Sequence, residues 1–159
     1  MKKQQKGFTL IELVIVIIIL GLLAAAAVPR FANLGTQARI AAVNGVAGGA
    51  TSAASVVRAQ YLATGATTSP ILVDGQNVIV TTGAVSAGIP TNAAGGIDLA
   101  LQNYSGFTFA AGPPATFTPT NGGGATCQVR YNGTTVTIPA AGGVPAIPPG
   151  GAVPVTTGC

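Results

Sequence analysis

A chain of 159 residues has room for one domain and an appendage. Only 6% of its residues are charged and 48% are hydrophobic, which excludes a charge-rich disordered chain and the usual surface of a soluble enzyme. The formal +4 is concentrated at the start, in Lys2, Lys3 and Lys6. From Phe8 onward Arg30, Arg39, Arg58 and Arg130 face Glu12, Asp74 and Asp98, too slight an excess for a nucleic-acid footprint.

After the basic start, Phe8 to Val28 is apolar except for Thr9, Glu12 and the glycine at Gly21. As a helix it rises about 31 Å, enough for one bilayer crossing. A carboxylate at the centre of such a span costs roughly 2.5–3.5 kcal/mol, so Glu12 needs a partner and is a functional candidate by default. If the chain is cut between Gly7 and Phe8, the new α-amino group lies four residues before Glu12, on the same helical face. The two charges could then neutralise one another within a chain or between neighbours. Lysines before the span fit a leader held on the cytoplasmic side.

Gly7-Phe8-Thr9-Leu10-Ile11-Glu12, after a short Lys-rich leader and before a long apolar helix, resembles the class III prepilin signal of type IV pilins and type II secretion pseudopilins. The resemblance implies a membrane peptidase that cuts after Gly7 and N-methylates Phe8, and a role for Glu12, paired with Phe8, in setting subunit register. Two plainer readings stand beside it. One is a secretory signal cut in the run Ala24-Ala25-Ala26-Ala27, against which a charge at Glu12 and the length of the apolar run both argue. The other is a simple membrane anchor, which predicts an uncut leader.

Pro29 lacks a backbone donor and should bend or loosen the helix. By the resemblance, Gly21 and Pro29 bracket a helix break, a stretch that loses helical order in the filament. A kink on leaving the bilayer is the alternative. From Arg30 to Thr64, residues Phe31, Leu34, Ala38, Ala42, Val46, Ala50, Ala53, Val57 and Tyr61 recur at three- and four-residue steps and predict one apolar stripe. Gly45, Gly48 and Gly49 weaken that helix, and close approach of a packed element is the expected compensation. Gly65 is the natural stop. Residues 8–64 are thus predicted as one helix about 85 Å long.

Past Gly65 the pattern is that of strands. Ile71–Val73 and Val78–Val80 flank Asp74-Gly75-Gln76-Asn77 as a hairpin. Ile97–Leu101 reads as a short helical turn and Phe107–Phe109 as another strand. Gln128–Tyr131 and Thr134–Ile138, joined by Asn132-Gly133, predict a type I′ hairpin. The proline-rich stretch from Pro139 to Cys159 should supply little ladder bonding.

Cys127 and Cys159 are the two cysteines. In a reducing cytosol both could stay free, whereas in an exported chain they read as one disulfide, worth roughly 3–4 kcal/mol by loop closure. Helix, sheet and disulfide-closed end are what a type IVa pilin head implies. Pro29-Arg30-Phe31-Ala32-Asn33-Leu34, Gly49-Ala50 with Ser55-Val56-Val57, and Asp74-Gly75 before Val78 resemble the mannose-sensitive haemagglutinin subgroup.

Catalytic chemistry finds few carriers. Histidine is absent, so a serine or cysteine nucleophile lacks the usual base. A carboxylate pair would require folding to join Asp74 and Asp98. Two thiols are too few for a structural zinc site, and no cofactor or metal is expected. Gly122-Gly123-Gly124 lacks the rest of a phosphate loop. Asn103-Tyr104-Ser105 and Asn132-Gly133-Thr134 match glycosylation acceptors, the second better read as a turn.

The sequence therefore predicts an α+β type IV pilin fold: a leader at 1–7, an N-terminal helix at 8–64 (membrane-spanning over 8–28, amphipathic over 29–64), and a disulfide-closed β head over 65–159. The function implied is that of a non-enzymatic subunit. It passes from the inner membrane into a homo-oligomeric surface filament that serves adhesion and motility, through a prepilin peptidase and the pilus assembly machinery. A type II secretion pseudopilin and a DNA-binding minor pilin are the alternatives, the latter disfavoured because Arg130 is the one basic residue after Gly65.

Overall fold

The computed structural model describes residues 7–83, 86–134, 137, 139–140 and 144–159. Within that range the predicted leader contributes only Gly7. The chain divides into two compact units, 1–37 and 38–159.

The first unit is built on α1 (Leu10–Ala32), whose 23 residues rise about 35 Å. Large apolar side chains are exposed around the whole circumference, among them Leu13, Ile15, Ile17, Ile19 and Leu22. By length and composition the helical stretch starting at Leu10 can cross a membrane. Gly21 and Pro29 both lie inside α1, so in the single chain the helix is broken at neither; the interruption falls at Asn33, with α2 (Leu34–Ala63) following it. Pro29 withholds one donor from the turn before it, and the helix continues for three more residues.

The second unit begins within α2. Its buried face is Val43, Ala47, Ala50, Ala54, Val57 and Tyr61. Ala50, Val57 and Tyr61 belong to the predicted stripe, whereas Ala38 and Ala42 are exposed and Val43, Ala47 and Ala54 take the buried places. The reason is angular: each four-residue step overshoots a turn by about 40°, so the run Leu34, Ala38, Ala42, Val46, Ala50 drifts around the helix. The observed alternation of threes and fours holds one face. α2 ends in a Schellman motif, with Gly65 at φ 62°, its N–H donating to the Leu62 carbonyl (3.3 Å) and that of Ala66 to Tyr61 (3.1 Å).

Beyond α2 stand a hairpin, β1 (Ile71–Val73) with β2 (Gln76–Val78), then α3 (Ile97–Ala100), then an antiparallel meander of β3 (Phe107–Ala110), β4 (Ala115–Pro119), β5 (Gln128–Tyr131) and β6 (Ala152–Val155). The β1–β2 turn is tighter than predicted. Asp74 and Gly75, both at positive φ, suffice to turn it, and Gln76 and Asn77 join the ladder opposite Val73 and Leu72. The predicted Asn132-Gly133 hairpin finds no free edge on Gln128–Tyr131. Both edges of β5 are taken, by β4 on one side and β6 on the other. Thr135, Val136 and Ile138 lie outside the described residues. The strand that occupies that edge comes from the tail: β6 pairs along its whole length, and Pro154 is tolerated because β6 is an edge strand.

Alternation along β4 and β5 points Ala115, Phe117, Val129 and Tyr131 inward against Val43, Ala47, Ala50 and Ala54 of α2. Cross-strand pairs match small with large, Ala115 opposite Tyr131. A second cluster joins Val57 and Tyr61 to Ile71, Val78 and Val80. Gly49 is packed as expected, since a Cβ there would sit 3.2 Å from Leu101, but Gly45 and Gly48 face open space. The long N-terminal helix and small antiparallel sheets make this an α+β fold.

Candidate functional site

The residues that carry the expected chemistry at the N-terminus are Gly7, Phe8, Thr9 and Glu12. Thr9 is the N-cap of α1, with extended φ and ψ, and Glu12 is the third helical residue, so the two close a capping box. Glu12 Oε2 accepts from the Thr9 backbone N–H (2.9 Å) and from Thr9 Oγ1 (2.8 Å), while Glu12 N–H donates to Thr9 Oγ1 (3.3 Å). The carboxylate that the sequence reading assigned to Phe8 is thus held by Thr9 in the uncut chain. Thr9 is the site residue that reading missed. Its signal was present, since Thr9-Leu10-Ile11-Glu12 is the threonine-to-glutamate spacing of a capping box.

Around this box nothing is covered. Phe8 is 86% exposed, and a Cβ at Gly7 would meet nothing within 4 Å. Gly21 and Pro29 lie farther along the same helix, away from the box.

In the second unit Cys127 and Cys159 are joined, with their Cα atoms 4.8 Å apart. Two further ties hold the tail: Arg39 donates from Nε (3.1 Å) and Nη2 (2.8 Å) to the Cys159 carbonyl, and Gly124 N–H donates to Gly158 O (2.7 Å). The fold also does what the sequence left to folding, since Asp74 and Asp98 line one pocket. The two glycosylation matches part company. Asn103 is exposed, whereas Asn132 is 0% exposed, its Nδ2 donating to the Ile147 carbonyl (2.7 Å) and its Oδ1 accepting from Thr134. Among the described residues no group of three or more His, Cys, Asp or Glu is placed to hold a metal.

Comparison with known proteins falls on the N-terminal segment. The prokaryotic N-terminal methylation motif matches residues 2–28. The type IV narrow pilus major component PilA5 of Thermus thermophilus is 53% identical over 55 residues, which are 35% of this chain and 47% of that protein. The type IV major fimbrial protein FimA of Dichelobacter nodosus is 51% identical over 43 residues, 27% of this chain and 28% of that one. The type II secretion system core protein G of Pseudomonas aeruginosa is 46% identical over 44 residues, 28% and 31% of the two chains. The chain thus spans less than half the length of these curated relatives. No solved structure matches it.

Proposed function

We propose that this chain, whose N-terminal segment is that of a type IV pilin with a class III prepilin signal, is a structural subunit that polymerises through its apolar helix into a surface filament. The observation that carries the reading is a helix apolar around its whole circumference, bearing one carboxylate at Glu12, directly after Gly7-Phe8. A helix of that kind is stable only in a bilayer or inside a bundle of its own kind. A filament core supplies the second environment after the first.

The sequence of events follows from the chemistry. The precursor waits in the inner membrane with its lysines on the cytoplasmic side. A prepilin peptidase hydrolyses the Gly7–Phe8 amide, and the amine released at Phe8 is methylated. That amine lies one residue before Thr9 and competes with it for the Glu12 carboxylate. A cation offers Glu12 more than two neutral donors do, so cleavage frees Glu12 from its local cap to pair within the chain or with a neighbour. Lipid tails are as apolar as the side chains they cover, so packing and this charge pair decide register rather than burial alone. Gly21 and Pro29 mark the stretch of α1 that unwinds in the filament, where the donor missing at Pro29 lowers the cost of opening. The head forms the outer surface and carries adhesion. We assign it no catalytic role.

The test is intact mass with N-terminal sequencing of sheared surface material, which should begin at methylated Phe8. Glu12→Ala should be processed normally and yield no filaments. Normal fibre yield from that variant, or a surface chain beginning at Met1, overturns the reading. The match to a type II secretion protein favours a second reading as a pseudopilin. That reading predicts loss of protein export, and no abundant surface fibre, when the gene is deleted.

A further inference from the structure

Asparagine followed by glycine occurs three times in the chain, at Asn44-Gly45, Asn121-Gly122 and Asn132-Gly133. Each pair carries its own electrophile and nucleophile: the side-chain amide carbon of asparagine and the backbone nitrogen of the next residue. The two are placed to close a five-membered ring, and glycine lacks the side chain that would hinder the approach. Closure then depends on whether that nitrogen is free to swing toward the side chain, and the fold treats the three pairs differently.

Two of the pairs are locked. Asn44 and Gly45 lie inside α2, where helical geometry turns the Gly45 N–H toward a carbonyl one turn back. Asn132 is 0% exposed, its Nδ2 donates to the Ile147 carbonyl at 2.7 Å, and Gly133 N–H donates to Asn92 Oδ1. Asn121-Gly122 differs on every count. It lies in the loop between β4 and β5, and both residues are exposed. Among the described residues neither the Asn121 side chain nor Gly122 N–H has a hydrogen-bond partner. The chain is pinned on either side, by Thr120 N–H on the Gly106 carbonyl (2.9 Å) and by Gly124 N–H on the Gly158 carbonyl (2.7 Å). Residues 121–123 hang between those anchors, with Gly122 at φ 82° and Gly123 at φ 109°.

We propose that Asn121 is a site of spontaneous deamidation, with water as the one co-reactant. Gly122 N adds to Asn121 Cγ and gives up its proton, the Cγ–Nδ2 bond breaks with Nδ2 leaving as ammonia, and a succinimide closes. Water then adds to one of the two ring carbonyl carbons, cleaves its bond to nitrogen and returns a proton to that nitrogen. Opening at the main-chain carbonyl gives isoaspartate, in which the backbone runs through Cγ, and opening at Cγ gives aspartate. Either product carries a carboxylate. The four arginines that face three acidic residues from Phe8 onward then face four. The new charge arises one residue from the guanidinium that ties the tail. Arg39 Nη1 lies 3.9 Å from where a Cβ on Gly122 would stand, and Arg39 Nε and Nη2 hold the Cys159 carbonyl. A carboxylate is a stronger acceptor for that group than a carbonyl, so the modified residue borders the contact that anchors Cys159. None of this depends on how the chain assembles.

The test ages the full-length protein in detergent micelles, in mildly alkaline buffer made with heavy-oxygen water. Mass spectrometry of reduced chymotryptic peptides then reads each site, with electron-transfer fragmentation to tell isoaspartate from aspartate. Asn121 is expected to take up label at least tenfold faster than Asn44 or Asn132, and to yield more isoaspartate than aspartate. Cation-exchange chromatography should resolve a more acidic species that grows at the same rate and is missing from Asn121→Ser. In the reduced, guanidinium-unfolded chain the three pairs should label at comparable rates, because the protection at Asn44 and Asn132 comes from the fold. No label at Asn121, or labelling of all three pairs alike in the folded chain, overturns the proposal. So does an equal lead for Asn121 in the unfolded chain, or an acidic species that grows as fast in Asn121→Ser.

Discussion

Arg39, near the start of the head's helix, grips the carbonyl oxygen of Cys159 with two guanidinium nitrogens across 120 positions of sequence. The disulfide fixes the same residue from the other side, through Cys127. Removing either should loosen the tail by a different route.

Arg39→Ala should cost about 1.5–3 kcal/mol, the usual range for hydrogen bonds involving a charged group. Arg39→Lys should restore less than half of that, because an ammonium cannot present the planar fork that reaches one oxygen twice. Urea unfolding of the detergent-solubilised chain checks both. Equal stability in all three proteins would show that the grip contributes nothing.

Reducing the Cys127–Cys159 bond should cost roughly 3–4 kcal/mol on the loop-closure account. Unfolding with and without dithiothreitol measures it. Hydrogen exchange should quicken first at β6, the edge strand that the bond secures, before it quickens at β4.

Two glycine substitutions should move in opposite directions. Gly88 sits at φ 82°, and a Cβ there would lie 2.7 Å from that of Tyr61, so Gly88→Ala should destabilise by about 2–4 kcal/mol. Gly48, mid-helix with nothing within 4 Å, should gain up to about 1 kcal/mol as Ala. Thermal melts of the pair provide the check.

Burial raises the Tyr131 hydroxyl well above its ordinary value of 10.0, and that hydroxyl donates to the Pro90 carbonyl at 2.8 Å. The unfolded chain therefore releases this proton more readily than the folded one. The stability concerned is fully present below about pH 10 and drains away as pH climbs toward the raised folded value. Tyrosinate absorbance of Tyr131 should appear only with unfolding. Tyr131→Phe should lose about 1 kcal/mol at neutral pH through the unpaired carbonyl, yet show a shallower alkaline decline.

Legibility in the sequence followed how local each cause was. Gly65, Asp74-Gly75 and the Ile97 turn act within a few residues, and the structure uses all of them. The pairing of β5 is set by β4 and β6 on its two edges, and β6 lies more than twenty residues away, beyond the range of any turn signal. β4 went unread because Pro113-Pro114 before it and Pro119 at its end hid a short alternating run. At the N-terminus Glu12 stood out as a charge in an apolar run, while Thr9 did not, because its part is a hydrogen bond rather than a charge. The union of Asp74 with Asp98 belongs wholly to the tertiary fold.

In the four-stranded sheet every neighbour in space is also the next strand in the chain. That order lets each strand of the sheet be laid beside the one before it in the chain. None has to be inserted between two already in place, and Cys159, which the disulfide secures, follows the last of them.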